Sequence, residues 1–180
     1  MEREKIMITT LKGDIARLDF DVIVNAANTS LTPGTGVCAA IFAGAGPKLE
    51  EECLKLRGCE VGKAKMTDPY HLRCKKIIHA VGPMYKDGKH NEAKLLASAY
   101  WNSVVLAYSY MIENRLNSIT MAFPCISTGA YGYPNDEACK IAVSTVRSLM
   151  QAYPDAKDIN IVFVCDTEED YVLYKKGLRS

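Results

Sequence analysis

Apolar and polar positions along this chain follow two periods in turn, that of a strand and that of a helix. Short apolar runs bounded by glycine, proline or charged residues predict strands, whereas longer stretches with apolar residues three or four positions apart predict helices. The predicted strands are residues 5–11, 21–26, 63–67, 75–81, 118–123 and 159–165. The predicted helices are residues 37–45, 48–56, 91–113, 135–152 and 167–178.

Strands that are separated by helices of this length require crossover connections, which favour a largely parallel sheet with helices on both faces. The first strands could pair differently from the others, which would make the sheet mixed. The expected fold is therefore α/β, a three-layer α/β/α sandwich around a mixed, mostly parallel sheet. A length of 180 residues, 48% of them hydrophobic, indicates a single domain over residues 1–180.

The charge balance argues against broad electrostatic binding, because 22 Lys and Arg nearly cancel 21 Asp and Glu. We therefore expect no membrane partner and no nucleic-acid partner. Binding of RNA or poly(ADP-ribose) to a local basic patch around Arg73, Lys75 and Lys76 is the alternative. The seven cysteines include no Cys-x-x-Cys pair and indicate reduced structural thiols. No signal-like or bilayer-spanning apolar segment is present in the sequence, so the expected location is cytoplasmic.

Ligands of such sheets bind beyond the carboxyl ends of the strands, where this chain has two unusual loops. The first loop, residues 25–37, carries Asn25, Asn28, Gly34 and Gly36 and leads into a helix near Val37. Glycines allow the backbone to approach an anion, and the helix start offers unpaired N–H groups. A plain turn is the alternative interpretation. The loop is neither a Walker A motif nor a Rossmann fingerprint, which argues against a kinase or a dehydrogenase.

The second loop, residues 124–134, also joins a strand to a helix. Ser127 and Thr128 supply hydroxyl groups and Gly129 supplies an accessible amide, so the two loops together could hold two phosphates. Tyr131 could pack its ring on a sugar, but packing at the rim of a cavity is an equally good interpretation of that tyrosine.

Four segments, in family order, resemble macrodomain motifs: Lys-Gly-Asp-Ile at 12–15, Val-Asn-Ala-Ala-Asn at 24–28, Ile-Ile-His-Ala-Val-Gly-Pro at 77–83 and Phe-Pro-Cys-Ile-Ser-Thr-Gly-Ala-Tyr-Gly at 123–132. This resemblance implies binding of ADP-ribose, free or on a modified protein, without metal or cofactor. Asn28 and Tyr131 would fix the distal ribose for catalysis. The ligand-binding residues implied are Asp14, Ile15, Asn28, Gly34, Gly36, Val37, Cys38, Ser127, Thr128, Gly129, Ala130, Tyr131 and Asp166.

Three of these positions have competing interpretations. The resemblance gives Asp14 to the adenine amino group, with the Ile15 amide nearby, but Asp14 also suits a helix N-cap. Asn25 is expected to hold the backbone of its own loop. His79 lies in an apolar strand, which favours a hydrogen-bonded internal histidine over a ligand or a base.

The sequence departs from MacroD-type hydrolases, which it otherwise resembles, at the aspartate that helps to activate water. Cys38 occupies that position, and Phe42 occupies the position of a family histidine. We favour a packing role for Cys38 over a thiolate nucleophile. The region after the last strand also lacks the aromatic ring common in relatives, with Tyr171 the nearest candidate. The sequence thus predicts hydrolysis of ADP-ribosyl esters, with a non-catalytic ADP-ribose reader as the alternative; its oligomeric state is open.

Overall fold

The computed structural model describes residues 8–180 and contains a six-stranded mixed sheet. The strands are β1 (Ile8–Lys12), β2 (Val22–Ala27), β3 (Ala64–Thr67), β4 (Lys76–Val81), β5 (Ile119–Phe123) and β6 (Ile159–Cys165). Their spatial order is β1-β6-β5-β2-β4-β3, and every neighbouring pair is parallel except β3 with β4.

Five helices cover both faces of this sheet: α1 (Gly36–Ala45), α2 (Pro47–Lys55), α3 (Glu92–Glu113), α4 (Asn135–Ala152) and α5 (Glu168–Arg179). Alternate residues of each strand point to opposite faces. Ile78 and Phe163 accordingly pack with α3, α4 and α5, whereas Ile77 and Val164 pack on the other face with α1 and α2. The expected three-layer sandwich is confirmed. Over residues 8–180, no helix combines the length and the apolar character needed to cross a bilayer.

The predicted helices and strands match the observed ones closely, but the origin of the mixed sheet differs. The antiparallel strand is β3, whereas the first strand pairs parallel with β6. Residues 5–7 of the predicted first strand lie outside the described residues. A short 3-10 helix, Pro154–Asp158, connects α4 to β6 and was not predicted.

The strand order brings the two unusual loops together. Strand β2 is the neighbour of β5, with Val22 opposite Met121, and β5 is the neighbour of β6. Because these three strands are parallel, their carboxyl ends lie at one edge of the sheet. The loops that follow β2, β5 and β6 therefore meet there.

Candidate functional site

A cavity of about 410 Å³ lies at this edge of the sheet. Its volume falls within the range of small-molecule sites, about 300–1,000 Å³. Every ligand-binding residue predicted from the sequence lines this cavity except Asp14 and Ile15. Those that line it are Asn28, Gly34, Gly36, Val37, Cys38, Ser127, Thr128, Gly129, Ala130, Tyr131 and Asp166.

One wall of the cavity is the amino-terminal end of α1. Gly36, Val37 and Cys38 form the first turn of this helix, whose N–H groups have no intrahelical acceptor. The side chain of the N-cap residue, Thr35, makes no capping hydrogen bond. Gly36 has φ of 57°, a left-handed conformation that glycine adopts at little cost. Unpaired N–H groups and the helix dipole make this end of α1 suited to an anion.

The loop between β5 and α4 forms the opposite wall. It is folded by three internal hydrogen bonds, from Gly132 N to Gly129 O, from Tyr133 N to Ser127 O, and from Thr128 Oγ1 to Cys125 O. Within residues 8–180, the backbone N–H groups of Thr128, Gly129 and Ala130 donate to no protein acceptor. A second set of free amide donors thus lies across the cavity from the first.

Ser127 occupies a strained and buried position in this loop. Its φ is 69°, and its hydroxyl is buried without a hydrogen-bond partner among residues 8–180. Gly82, the residue directly after β4, lies against Ser127. A Cβ on Gly82 would collide with Ser127 Oγ and Ile126 Cγ2. The glycine of the third motif is therefore needed so that β4 and the β5–α4 loop can approach each other.

The third wall is acidic and was only partly predicted. Asp166 was expected there, but Glu169 and Asp170 at the start of α5 and Asn135 at the start of α4 were not. Asn135 Nδ2 donates to Asp170 Oδ1 at 2.6 Å. No lysine or arginine of residues 8–180 lines the cavity. Anions at this site would be held by backbone amides, and the carboxylates suit ligand hydroxyl or amino groups.

The side chain of Asn28 holds the first loop in shape. Its Nδ2 donates to Thr32 O at 2.9 Å, and its Oδ1 accepts from Thr32 N and from Ser30 Oγ, each at 3.0 Å. An amide nitrogen carries two hydrogens, so a second donor remains for a ligand. This is the loop-bracing role expected for Asn25, and that expectation was wrong for Asn25.

Asn25 instead belongs to a buried polar network under the loop. Its Nδ2 lies 3.1 Å from His79 Nδ1 and 3.7 Å from Cys38 Sγ, and His79 Nε2 lies 2.9 Å from Thr67 Oγ1. Burial lowers the pKa of His79 to about 4, so the imidazole is neutral at pH 7. The interpretation of His79 as a hydrogen-bonded internal residue is confirmed.

Cys38 behaves as a packed thiol. It is 5% exposed, and its sulfur lies 3.7 Å from Thr32 O. Burial raises its pKa, partly offset by the hydrogen bond from Asn25, so the thiol is protonated at neutral pH. A protonated thiol is neither a strong nucleophile nor a general base, which agrees with the packing interpretation.

Asp14 and Ile15 are the predicted residues that the cavity does not include. Asp14 does not cap a helix: its Oδ1 accepts from Ala16 N at 2.9 Å in a turn, and its Oδ2 lies 3.5 Å from Arg17 Nε. Its side chain is 46% exposed. Ile15 is buried in the core. Tyr171 lies in α5 and does not line the cavity.

A cluster of Asp87, His90 and Glu92 has ligand atoms within 4.8 Å of one another. Glu92, however, accepts backbone N–H groups from residues 86, 87, 88 and 90, which lower its pKa to about 2. These bonds occupy its oxygens and close the loop after β4. In the same loop, Tyr85 N donates to Tyr131 O at 2.9 Å, so this cluster supports the second wall of the cavity.

Comparison with known proteins places this arrangement in a family. The sequence model of the Macro domain matches residues 24–142, which include both cavity loops. The chain belongs to the macro domain family. It is 47% identical to a macro domain-containing protein of Chlorobaculum tepidum, with 97% of both chains covered.

Two further macro domain relatives are described with an activity or a ligand. The ADP-ribose glycohydrolase MACROD2 of Xenopus laevis is 44% identical over 95% of this chain and 40% of its own length. The Trypanosoma brucei macrodomain in complex with ADP-ribose superposes with a TM-score of 0.82 at 33% identity, covering 95% of this chain and 68% of that one.

Proposed function

We propose that this macro domain binds ADP-ribose in the cavity between the two loops. The observation that carries the proposal is the pair of unpaired amide sets, at residues 36–38 and 128–130, on opposite walls of one cavity. A diphosphate placed between them would receive N–H donors from both sides without any cationic side chain. The Trypanosoma brucei relative, crystallised with ADP-ribose, supports the same ligand.

The polar residues at the two ends of the cavity suit the rest of this ligand. Asn28 and Tyr131 would contact the distal ribose, Asn28 through its remaining Nδ2 hydrogen. Asp166 would accept from a hydroxyl or amino group of the adenosine half. Asp14 stays a proposed adenine residue, because the chain at Gly13 donates to Cys165 O and so runs beside the end of β6.

The proposed reaction is hydrolysis of an ester at the distal ribose, which releases ADP-ribose from an acidic side chain or from O-acetyl-ADP-ribose. Identity of 44% to an ADP-ribose glycohydrolase supports it. Because the Cys38 thiol is protonated, it does not replace the family aspartate as a base. In this proposal the bound diphosphate orients the attacking water while Asn28 and Tyr131 fix the ribose.

The second candidate is a reader that binds ADP-ribose without turnover, and the buried neutral thiol at Cys38 favours it. Calorimetry with ADP-ribose and a release assay on O-acetyl-ADP-ribose and a glutamate-ADP-ribosylated protein distinguish the two. Release that Asn28→Ala abolishes would establish a hydrolase, and binding without release would establish a reader. Absence of binding would overturn both.

The Asn28→Ala variant also removes the hydrogen bonds that shape the first loop, so a matched variant is needed. Asn28→Asp keeps an oxygen for Thr32 N and Ser30 Oγ but loses both Nδ2 hydrogens, the one donated to Thr32 O and the one left for the ligand. If the donor acts on the ribose, Asn28→Asp loses turnover while retaining the melting temperature better than Asn28→Ala. Full activity of Asn28→Asp would remove Asn28 from the catalytic proposal.

A further inference from the structure

Two cysteine sulfurs are in contact at the base of the cavity. Cys125 lies two residues after the last residue of β5, and Cys165 is the last residue of the neighbouring parallel strand β6. The register of these strands pairs Phe123 with Phe163. Because the two segments of the chain continue side by side, the thiols come together with 3.7 Å between their sulfurs. Cys165 is fully buried, whereas Cys125 is partly exposed and lines the cavity. A small molecule in the cavity can therefore reach one sulfur of the pair.

The contact also makes the two thiols chemically unequal. The Cys125 thiol donates its hydrogen to the Cys165 sulfur, and this bond lowers the pKa of Cys165. The same bond, together with burial, raises the pKa of Cys125. The pair consequently holds one proton between two sulfurs when it ionises, which is an arrangement that supports thiol oxidation.

We propose that Cys125 and Cys165 form an oxidation-sensitive dithiol that closes to a disulfide when a hydroperoxide enters the cavity. Starting from the singly ionised pair, the Cys165 thiolate takes the Cys125 proton while the Cys125 sulfur attacks one peroxide oxygen; an S–O bond forms, the O–O bond breaks, and the other oxygen leaves as water after taking up the proton that the pair released on ionisation. Cys165 then loses its proton, attacks the Cys125 sulfur and displaces the second oxygen as water. Two thiols lose two electrons and two protons, and hydrogen peroxide becomes two waters.

Disulfide formation would alter the cavity because both cysteines are continuous with its walls. The sulfurs must approach by about 1.7 Å, from 3.7 Å to a bond length of about 2.0 Å. Cys125 O anchors Thr128 Oγ1 at 2.9 Å, and Asp166 directly follows Cys165. The closure therefore moves the β5–α4 loop relative to the end of β6, which weakens ligand binding.

The test treats the reduced full chain with hydrogen peroxide, blocks the remaining thiols with N-ethylmaleimide and maps the peptides by mass spectrometry. We expect a linked Cys125–Cys165 peptide that a thiol reductant reverses. Cys125→Ser should abolish it, while Cys74→Ser, which alters a buried thiol on the other face of the sheet, should leave it unchanged. Alkylation of both thiols after peroxide, or a disulfide between other cysteines, would overturn the proposal.

A second arm compares the affinity of reduced and oxidised protein for ADP-ribose. We expect oxidation to weaken binding by about 10-fold or more and Cys125→Ser to remove this sensitivity. Equal affinities would overturn the coupling of the disulfide to the cavity. If the reduced protein does not bind ADP-ribose at all, the proposed function fails, whereas the peptide map still decides whether the dithiol exists.

Discussion

Replacement of Ser127 by alanine should move stability and affinity in opposite directions. The Ser127 hydroxyl is buried and has no hydrogen-bond partner among residues 8–180, and such a group costs about 1–3 kcal/mol. Alanine removes the hydroxyl while the left-handed backbone, with φ of 69°, is retained. We therefore expect the free energy of unfolding of the unliganded protein to rise by about 1–3 kcal/mol.

The same substitution should weaken ADP-ribose binding, because Ser127 lines the cavity and its hydroxyl, which is buried without a partner within residues 8–180, would rotate to find its acceptor in the diphosphate. A hydrogen bond to a charged group contributes about 1.5–3 kcal/mol, which corresponds to a loss of affinity of about 10- to 150-fold. Denaturant titration without ligand measures the first effect and calorimetry the second.

Ser103→Ala provides the matched control for this prediction. Ser103 is fully buried, but its hydroxyl donates to Ala99 O at 2.7 Å, and it does not line the cavity. Its loss should lower stability by about 1 kcal/mol and leave affinity unchanged. If Ser127→Ala destabilises the protein as Ser103→Ala does and binds ADP-ribose normally, the reasoning about this hydroxyl is refuted.

Three further substitutions test other parts of the site. Gly129→Val should lower affinity for ADP-ribose at least about 10-fold. The melting temperature should change little, because a Cβ at this position meets no atom within 4 Å. Unchanged affinity by calorimetry would exclude close approach of this loop to the ligand. Cys38→Asp should raise the rate of ADP-ribose release by about 10²-fold by supplying a base, with an unchanged rate in the release assay counting against that role. Glu92→Gln should reduce stability above pH 4.5. Because the folded pKa of Glu92 is lowered to about 2, the stabilising contribution of this carboxylate is lost as pH falls from about 4.5 to about 2. Equal pH profiles of unfolding for both proteins would contradict this.

The types and bounds of helices and strands could be predicted well because they depend on local periodicity. Helix α4 (Asn135–Ala152) and strand β6 (Ile159–Cys165) begin and end at the predicted residues. The direction of β3 could not be predicted, because it depends on the approach of this strand to β4 rather than on its own four residues. Strand order itself is set by contacts between distant segments.

The location of the site could also be predicted, but the individual roles of its polar side chains could not. The motifs placed both loops at the ends of buried strands, and the adjacency of β2 and β5 then brought them together. Asn28 rather than Asn25 braces the loop because Asn25 is held by His79, which reaches it only because β4 lies beside β2. Glu169 and Asp170 of the acidic wall were not predicted, because their position depends on the contact between the starts of α5 and α4, where Asn135 bonds Asp170, and not on local periodicity.

The most direct test of the central claim is a map of backbone amide shifts in a ¹⁵N–¹H spectrum during titration with ADP-ribose. Binding between two sets of backbone donors predicts saturable shifts that are largest for residues 36–38 and 128–130, with small shifts around α2 and β3. No saturable shift, or the largest shifts away from both amide sets, would contradict the account.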